Sequence, residues 1–196
     1  MAGAPTETPP LLVIISFSLT IFIFLTPVTG KEPNFIRRID RNSLGLNEEK
    51  AHHIRLYWHD VLSGQNPTAV QVVPPPSNTS ATSFGFMAMI DDALTVGPDL
   101  SSKMVGRAQG FYASASQKEV GLLMVMNFLF TEGNYNGSSI TVLGRNAVFS
   151  PVREMAVMGG TGAFRWARGY AQAKTYKFTP TTGDAIVEYN VYVMHY

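Results

Sequence analysis

Val105-Gly106-Arg107-Ala108-Gln109-Gly110-Phe111-Tyr112 sits inside a longer run, Lys103 to Ser116, whose side chains alternate strictly. Gly106, Ala108, Gly110 and Tyr112 share one side, and Arg107, Gln109 and Phe111 share the other. Period-two alternation marks a strand, and a face built of Gly and Ala leaves room that Leu or Val would fill. The signature returns in Phe164 to Phe178, where Ala167, Gly169, Ala171, Ala173 and Thr175 make a second small-residue face. Two such faces on separate strands favour a sheet closed around an interior cavity.

Working outward, further strand candidates follow at short spacing. Ile54 to Asp60 places Ile54, Leu56, Trp58 and Asp60 on one face, opposite Arg55, Tyr57 and His59. Phe84 to Ile90 is ended by Asp91-Asp92, Ile140 to Val148 alternates again, and Ala185 to Tyr196 closes the chain. Gly121 to Phe130 is apolar on both faces apart from Asn127, so a strand there needs cover on both sides, and another subunit could supply it. Pro74-Pro75-Pro76 with the polar run behind it is a loop, Gly133 to Gly137 suits a hairpin, and Thr182-Gly183-Asp184 is a turn. Gly159-Gly160-Thr161-Gly162 reads as a tight turn and not as a phosphate loop, since no later Gly, Lys or helix follows. No amphipathic helical stretch competes, so the chain is expected to be all-β, an antiparallel sandwich or barrel with the barrel favoured.

The chain has 196 residues, 45% apolar and 15% charged, which suits one compact domain. A formal charge of +1 offers no electrostatic footprint for nucleic acid. There is no cysteine, which excludes disulfides, thiol catalysis and thiolate metal sites. Leu11 to Leu25 is apolar apart from Ser and Thr and is followed by Pro27-Val28-Thr29-Gly30. At about fifteen residues it is short for a spanning helix, which needs roughly 20, and it reads as a secretory leader over residues 1–30 in preference to a retained anchor. Residues 31–50, charged and without apolar period, read as an exposed arm, and residues 51–196 as the domain. Asn78-Thr79-Ser80 and Asn136-Gly137-Ser138 are glycosylation sequons, whereas Pro67 disqualifies Asn66.

Three residues stand out chemically. Asp60 ends an apolar stripe; left unpaired inside a barrel its pKa would rise and it could serve as a general acid or base, and at a strand end it could equally turn to water. Tyr112 closes the Gly/Ala face and could offer its phenol to a ligand or simply fill the core. Arg153, in Pro151-Val152-Arg153-Glu154, could pair with a pocket carboxylate, although a solvated loop position is the ordinary outcome. The four His residues lack metal-ligand spacing, and no Gly-x-Ser-x-Gly elbow occurs. Neither a metal nor a cofactor is expected.

Val105 to Tyr112, the His59-Asp60 pair closing an aromatic strand, and Val152-Arg153-Glu154-Met155 through Gly159-Gly160-Thr161-Gly162 to Ala167-Arg168-Gly169 together resemble the plant dirigent family, over about residue 50 to Tyr196. The resemblance implies a secreted, often glycosylated, eight-stranded antiparallel β-barrel of the calycin or allene-oxide-cyclase type with an interior ligand pocket, assembled as a trimer in the apoplast. It implies phenolic ligands and no cofactor. Carried over by motif, Asp60, Tyr112 and Arg153 are the catalytic candidates, and Asn146 and Thr175 line the pocket. Lignan-forming members have an aspartate where this chain has Asn146, and a disulfide where it has no cysteine, so the resemblance points to the branch that includes pterocarpan synthases. The implied function is stereocontrol over phenoxy-radical coupling, for example of coniferyl alcohol, with a separate oxidase or laccase making the radicals. The alternatives are a cofactor-free isoflavanol dehydratase acting through a quinone methide, and a non-catalytic role in lignin deposition.

Overall fold

The structure, a computed structural model, describes Gly3, residues 36–77 and residues 79–196. The leader expected at residues 1–30, apart from Gly3, and the sequon asparagine Asn78 lie outside the described residues. The chain divides into two units, Met1–Asp40 and Arg41–Tyr196. In the first, residues 36–40 have no regular secondary structure. The second contains the whole sheet.

Nine strands form it: β1 Lys50–Asp60, β2 Ala69–Val73, β3 Met87–Thr95, β4 Met104–Ser114, β5 Gly121–Phe130, β6 Ser139–Ala147, β7 Arg153–Thr161, β8 Arg168–Phe178 and β9 Ala185–His195. Each pairs antiparallel with its neighbours in the order β1-β9-β8-β7-β6-β5-β4-β3. The ring closes where β3 returns to β1 through Tyr57–Thr95, Trp58–Leu94 and His59–Ala93. Eight strands therefore make the barrel. The short β2 takes over the outer edge of β3 where β1 leaves it, pairing Ala69 with Ile90 and Val70 with Met89. The alternating runs predict an all-β antiparallel barrel and the family resemblance implies eight strands, and the structure has both.

Leu56, Leu94, Met124, Met126, Phe128, Ile140, Val142 and Tyr189 fill the middle of the barrel and are fully buried. Phe128 meets Tyr189 edge to face at 5.3 Å, and Trp58 meets the same ring at 6.3 Å. The small-residue faces do not leave the room expected at the glycines themselves. A Cβ on Gly110 would stand 2.0 Å from the Val125 carbonyl oxygen, and one on Gly169 would stand 2.0 Å from that of Tyr192. Both residues have φ of 154°. These glycines let adjacent backbones coil tightly, as barrel closure demands, and the open space lies further along the same strands.

Three local expectations are corrected. β3 does not stop at Asp91-Asp92 but runs on to Thr95. Asp91, on the outer face, pairs with Arg107 at 2.6 Å, while Asp92 turns inward and accepts from Thr68 Oγ1. Arg153 is not a solvated loop residue: it opens β7 and is buried. Gly159, Gly160 and Thr161 complete that strand, and the turn is the 3₁₀ segment Gly162–Phe164 after them. The arm is held at its end, where Glu49 pairs with Arg168 at 2.6 Å. The outer face of β5 presents Leu123, Val125 and Leu129 only partly covered.

Candidate functional site

The strand ends converge on a cavity of about 490 Å³ at one end of the barrel. Its position follows from topology: β1, β4 and β8 finish there, and β5, β7 and β9 begin there. Trp58, Leu122, Val148, Phe149, Phe178 and Val187 supply the apolar wall. Asp60, Tyr112, Asn146, Arg153 and Thr175 all line the same space. Thr175 stands on β8 beside a register shift between Thr175 and Lys177, which aims this strand end differently from its regular half. Asn136 is exposed, immediately after the 3₁₀ segment Gly133–Tyr135, and does not line the cavity.

Asp60 is 7% exposed, and its one side-chain partner among the described residues is the Tyr112 hydroxyl, which donates to Oδ1 at 3.5 Å. Burial pushes its carboxyl up to about 8, Asp92 adds to the rise, and Tyr112 opposes it. The carboxyl therefore carries a proton at neutral pH. Burial and then the neighbouring Asp60 push the Tyr112 phenol well above its ordinary value, so it acts only as a neutral donor. The Tyr112 ring is fixed edge-on to Trp58 at 6.4 Å.

Arg153 is 5% exposed, and its Nε donates to Asn146 Oδ1 at 2.9 Å. No carboxylate pairs with it among the described residues. Burial draws its pKa below the usual guanidinium value, with the Tyr189 phenol opposing. A guanidinium presents five N–H donors; with one of them given to a neutral amide, the cavity wall holds a cation that lacks a counter-ion. Such a group favours an oxygen on which negative charge develops. Among the described residues no three His, Asp or Glu side chains converge as metal donors would. The polar set suits a phenolic oxygen at Arg153 and a proton transfer at Asp60.

A buried group that the sequence reading passed over is Asp92, fully enclosed behind the cavity wall. Burial pushes its carboxyl up to about 7, with the Thr68 hydroxyl and the Trp58 indole N–H opposing. Trp58 Nε1 and Asp92 Oδ2 lie close without reaching good hydrogen-bond geometry. The signal was present in the alternation Ala88, Ile90, Asp92, Leu94, which continues the interior face across the acidic pair.

A model of the dirigent-like protein family matches residues 51–194, nearly the whole barrel. The chain belongs to the dirigent family. It is 49% identical over 185 residues to dirigent protein 7 of Arabidopsis thaliana, covering 94% of this chain and 98% of that one. It is 55% identical over 155 residues to pterocarpan synthase 1 of Glycine max, covering 78% and 83%. Among solved structures, the pterocarpan synthase dirigent protein GePTS1 superposes with a TM-score of 0.73 at 52% identity, over 76% of this chain and 87% of that one. The dirigent barrel is thus shared along its length with relatives of both descriptions.

Proposed function

We propose that the protein is a stereocontrolling dirigent protein that handles a phenolic quinone methide in its barrel, and that its reaction is the cofactor-free dehydration of an isoflavanol with phenolic hydroxyls at C7 and C2′. One observation carries this reading: a single cavity is lined by one protonated carboxyl, Asp60, and by one guanidinium without a counter-ion, Arg153. In the first step the C7 hydroxyl releases its proton to solvent, Arg153 favouring the phenolate that results, as Asp60 gives its proton to the C4 hydroxyl. The C4–O bond breaks, water leaves, and the phenolate electrons form the quinone methide. In the second step the C2′ oxygen bonds to C4, its proton passes to the Asp60 carboxylate, and the C7 phenolate takes a proton back from solvent. The net change is loss of one water, and the cavity decides which face of C4 is attacked. Tyr112 holds Asp60 in place throughout.

The test is to incubate the purified protein with the isoflavanol and no oxidase. One enantiomer of the cyclised product is expected, with turnover reduced at least ~100-fold in Asp60→Asn; absence of turnover removes this reading. A second reading, orientation of two phenoxy radicals made by a separate oxidase, is supported by a cavity whose volume lies within the roughly 300–1,000 Å³ range of small-molecule sites and whose wall is mainly apolar. Coniferyl alcohol with laccase tests it, and a racemic product matching the protein-free control refutes it. We further propose secretion to the apoplast and assembly as a trimer through the partly exposed outer face of β5; both rest on the family, and size measurement by light scattering tests the second.

A further inference from the structure

We propose that Asp92 is a positioning residue for Asp60: opposed to it across the β1–β3 pair inside the barrel, Asp92 takes the negative charge and leaves the proton on the carboxyl that meets the ligand. The inference rests on Asp60 being the proton donor of the pocket. The register sets up the opposition. Trp58 pairs with Leu94 and His59 with Ala93, so the next step along both strands brings Asp60 toward Asp92, with both side chains on the interior face. Like charges opposed on neighbouring strands disfavour double ionisation, most of all out of water.

The surroundings are unequal. Asp92 accepts from Thr68 Oγ1 and lies beside the Trp58 indole N–H, both of which favour its anion, whereas Asp60 has only the long contact from Tyr112. Asp92 is fully buried and does not line the cavity, so it cannot reach a ligand. The other charged or titratable groups bearing on the pair are Arg107 and Asp91 on the outer face, Asp184 before β9, and the Tyr112 and Tyr189 phenols. Arg107 is bonded to Asp91, and Asp184 is bonded to Ser63 and to the Leu62 and Ser63 amides, so neither changes partner when Asp60 titrates.

The experiment compares the full chain with Asp92→Asn, Thr68→Val and Asp60→Asn, following aspartate carboxyl resonances by ¹³C NMR and the pH dependence of isoflavanol turnover. In Asp92→Asn the Asp60 resonance and the alkaline limb of kcat are expected to move down together by about one pH unit or more, with KM held within about twofold. Thr68→Val keeps both carboxyls but removes the hydroxyl that favours the Asp92 anion, and is expected to shift Asp60 in the same direction by less. An Asp60 resonance titrating at an unchanged pH in both variants overturns the proposal. The NMR arm needs no substrate: an Asp60 shift without turnover in any variant supports the role of Asp92 while removing the dehydration, and turnover lost only in Asp60→Asn with an unmoved pH profile in the others does the reverse.

Discussion

Replacing Asp60 by Asn should stabilise the protein while disabling it, and the pH dependence of the gain is the informative part. In the folded chain the Asp60 carboxyl titrates at about 8, against an ordinary value of 3.8. Between those two values the folded protein holds a proton that the unfolded chain has released, so stability falls as pH rises, by about 1.4 kcal/mol per pH unit. The loss begins near pH 4 and is complete above about pH 8. Over the two units from pH 5 to pH 7 Asp60 alone therefore removes about 3 kcal/mol. Asn has no proton to release, and its side-chain oxygen can still accept from Tyr112. The stability difference between Asp60→Asn and the parent should grow by about 3 kcal/mol over that interval. Urea unfolding at pH 5, 6 and 7, with slopes compared to exclude a change in the unfolded state, measures it. A difference that stays constant with pH would falsify the assignment of a buried, protonated Asp60. A gain in stability coupled to loss of turnover is the pattern of a group kept for chemistry at the expense of the fold.

Asn146→Asp places a carboxylate 2.9 Å from Arg153 Nε; the resulting ion pair should neutralise the cavity cation and lower isoflavanol turnover tenfold or more by order of magnitude, read as kcat, and an unchanged rate would remove Arg153 from charge stabilisation. Arg153→Met should lower turnover by about 100-fold or more while leaving the melting temperature equal or higher, because a buried cation without a counter-ion disappears. Gly110→Ala should destabilise by more than about 3 kcal/mol, since its Cβ would lie 2.0 Å from the Val125 carbonyl oxygen. Gly183→Ala is the control: at φ 84°, with its nearest neighbours 3.8 Å away, it should lose only about 1–2 kcal/mol. Similar melting temperatures for the two alanine variants would contradict the close approach of β4 and β5.

The barrel was legible because its strands alternate, and alternation depends only on which side faces the core. Leu56, Trp58 and Asp60 on β1, and Ala108 and Tyr112 on β4, all turned inward as their spacing implied. β7 was obscured because its inward positions, Arg153, Met155 and Val157, begin with a charge, and its end, Gly159-Gly160-Thr161, has turn composition. Burial of Arg153 depends on Asn146, seven residues earlier and on the neighbouring strand, a contact made by the β6–β7 hairpin that no local pattern announces. β2 was missed for a different reason: five residues before a proline run carry too short a period to register. β3 was cut short because an Asp-Asp pair is a good strand terminator in isolation. Thr68 and Arg107 make it tolerable by donating to one carboxylate each, on opposite sides of the sheet.

Asn146 and Asp92 together explain how one barrel can contain two interior acids and present only one. Had the residue beside Arg153 been an acid, the guanidinium would be paired and the cavity would carry two carboxyls in contact with a ligand. With an amide there, Arg153 stays charged without a counter-ion. The second carboxyl lies instead behind the wall at Asp92, where it can alter the proton affinity of Asp60 without touching anything bound. The ligand therefore meets a proton donor and a cation, each singly, which suits a reaction that protonates one oxygen as negative charge gathers on another. A pocket with two exposed acids would instead offer a proton to both ends of a symmetrical bis-quinone methide. The proposed dehydration thus depends on the amide beside Arg153, and the Asn146→Asp variant tests it with a single functional group.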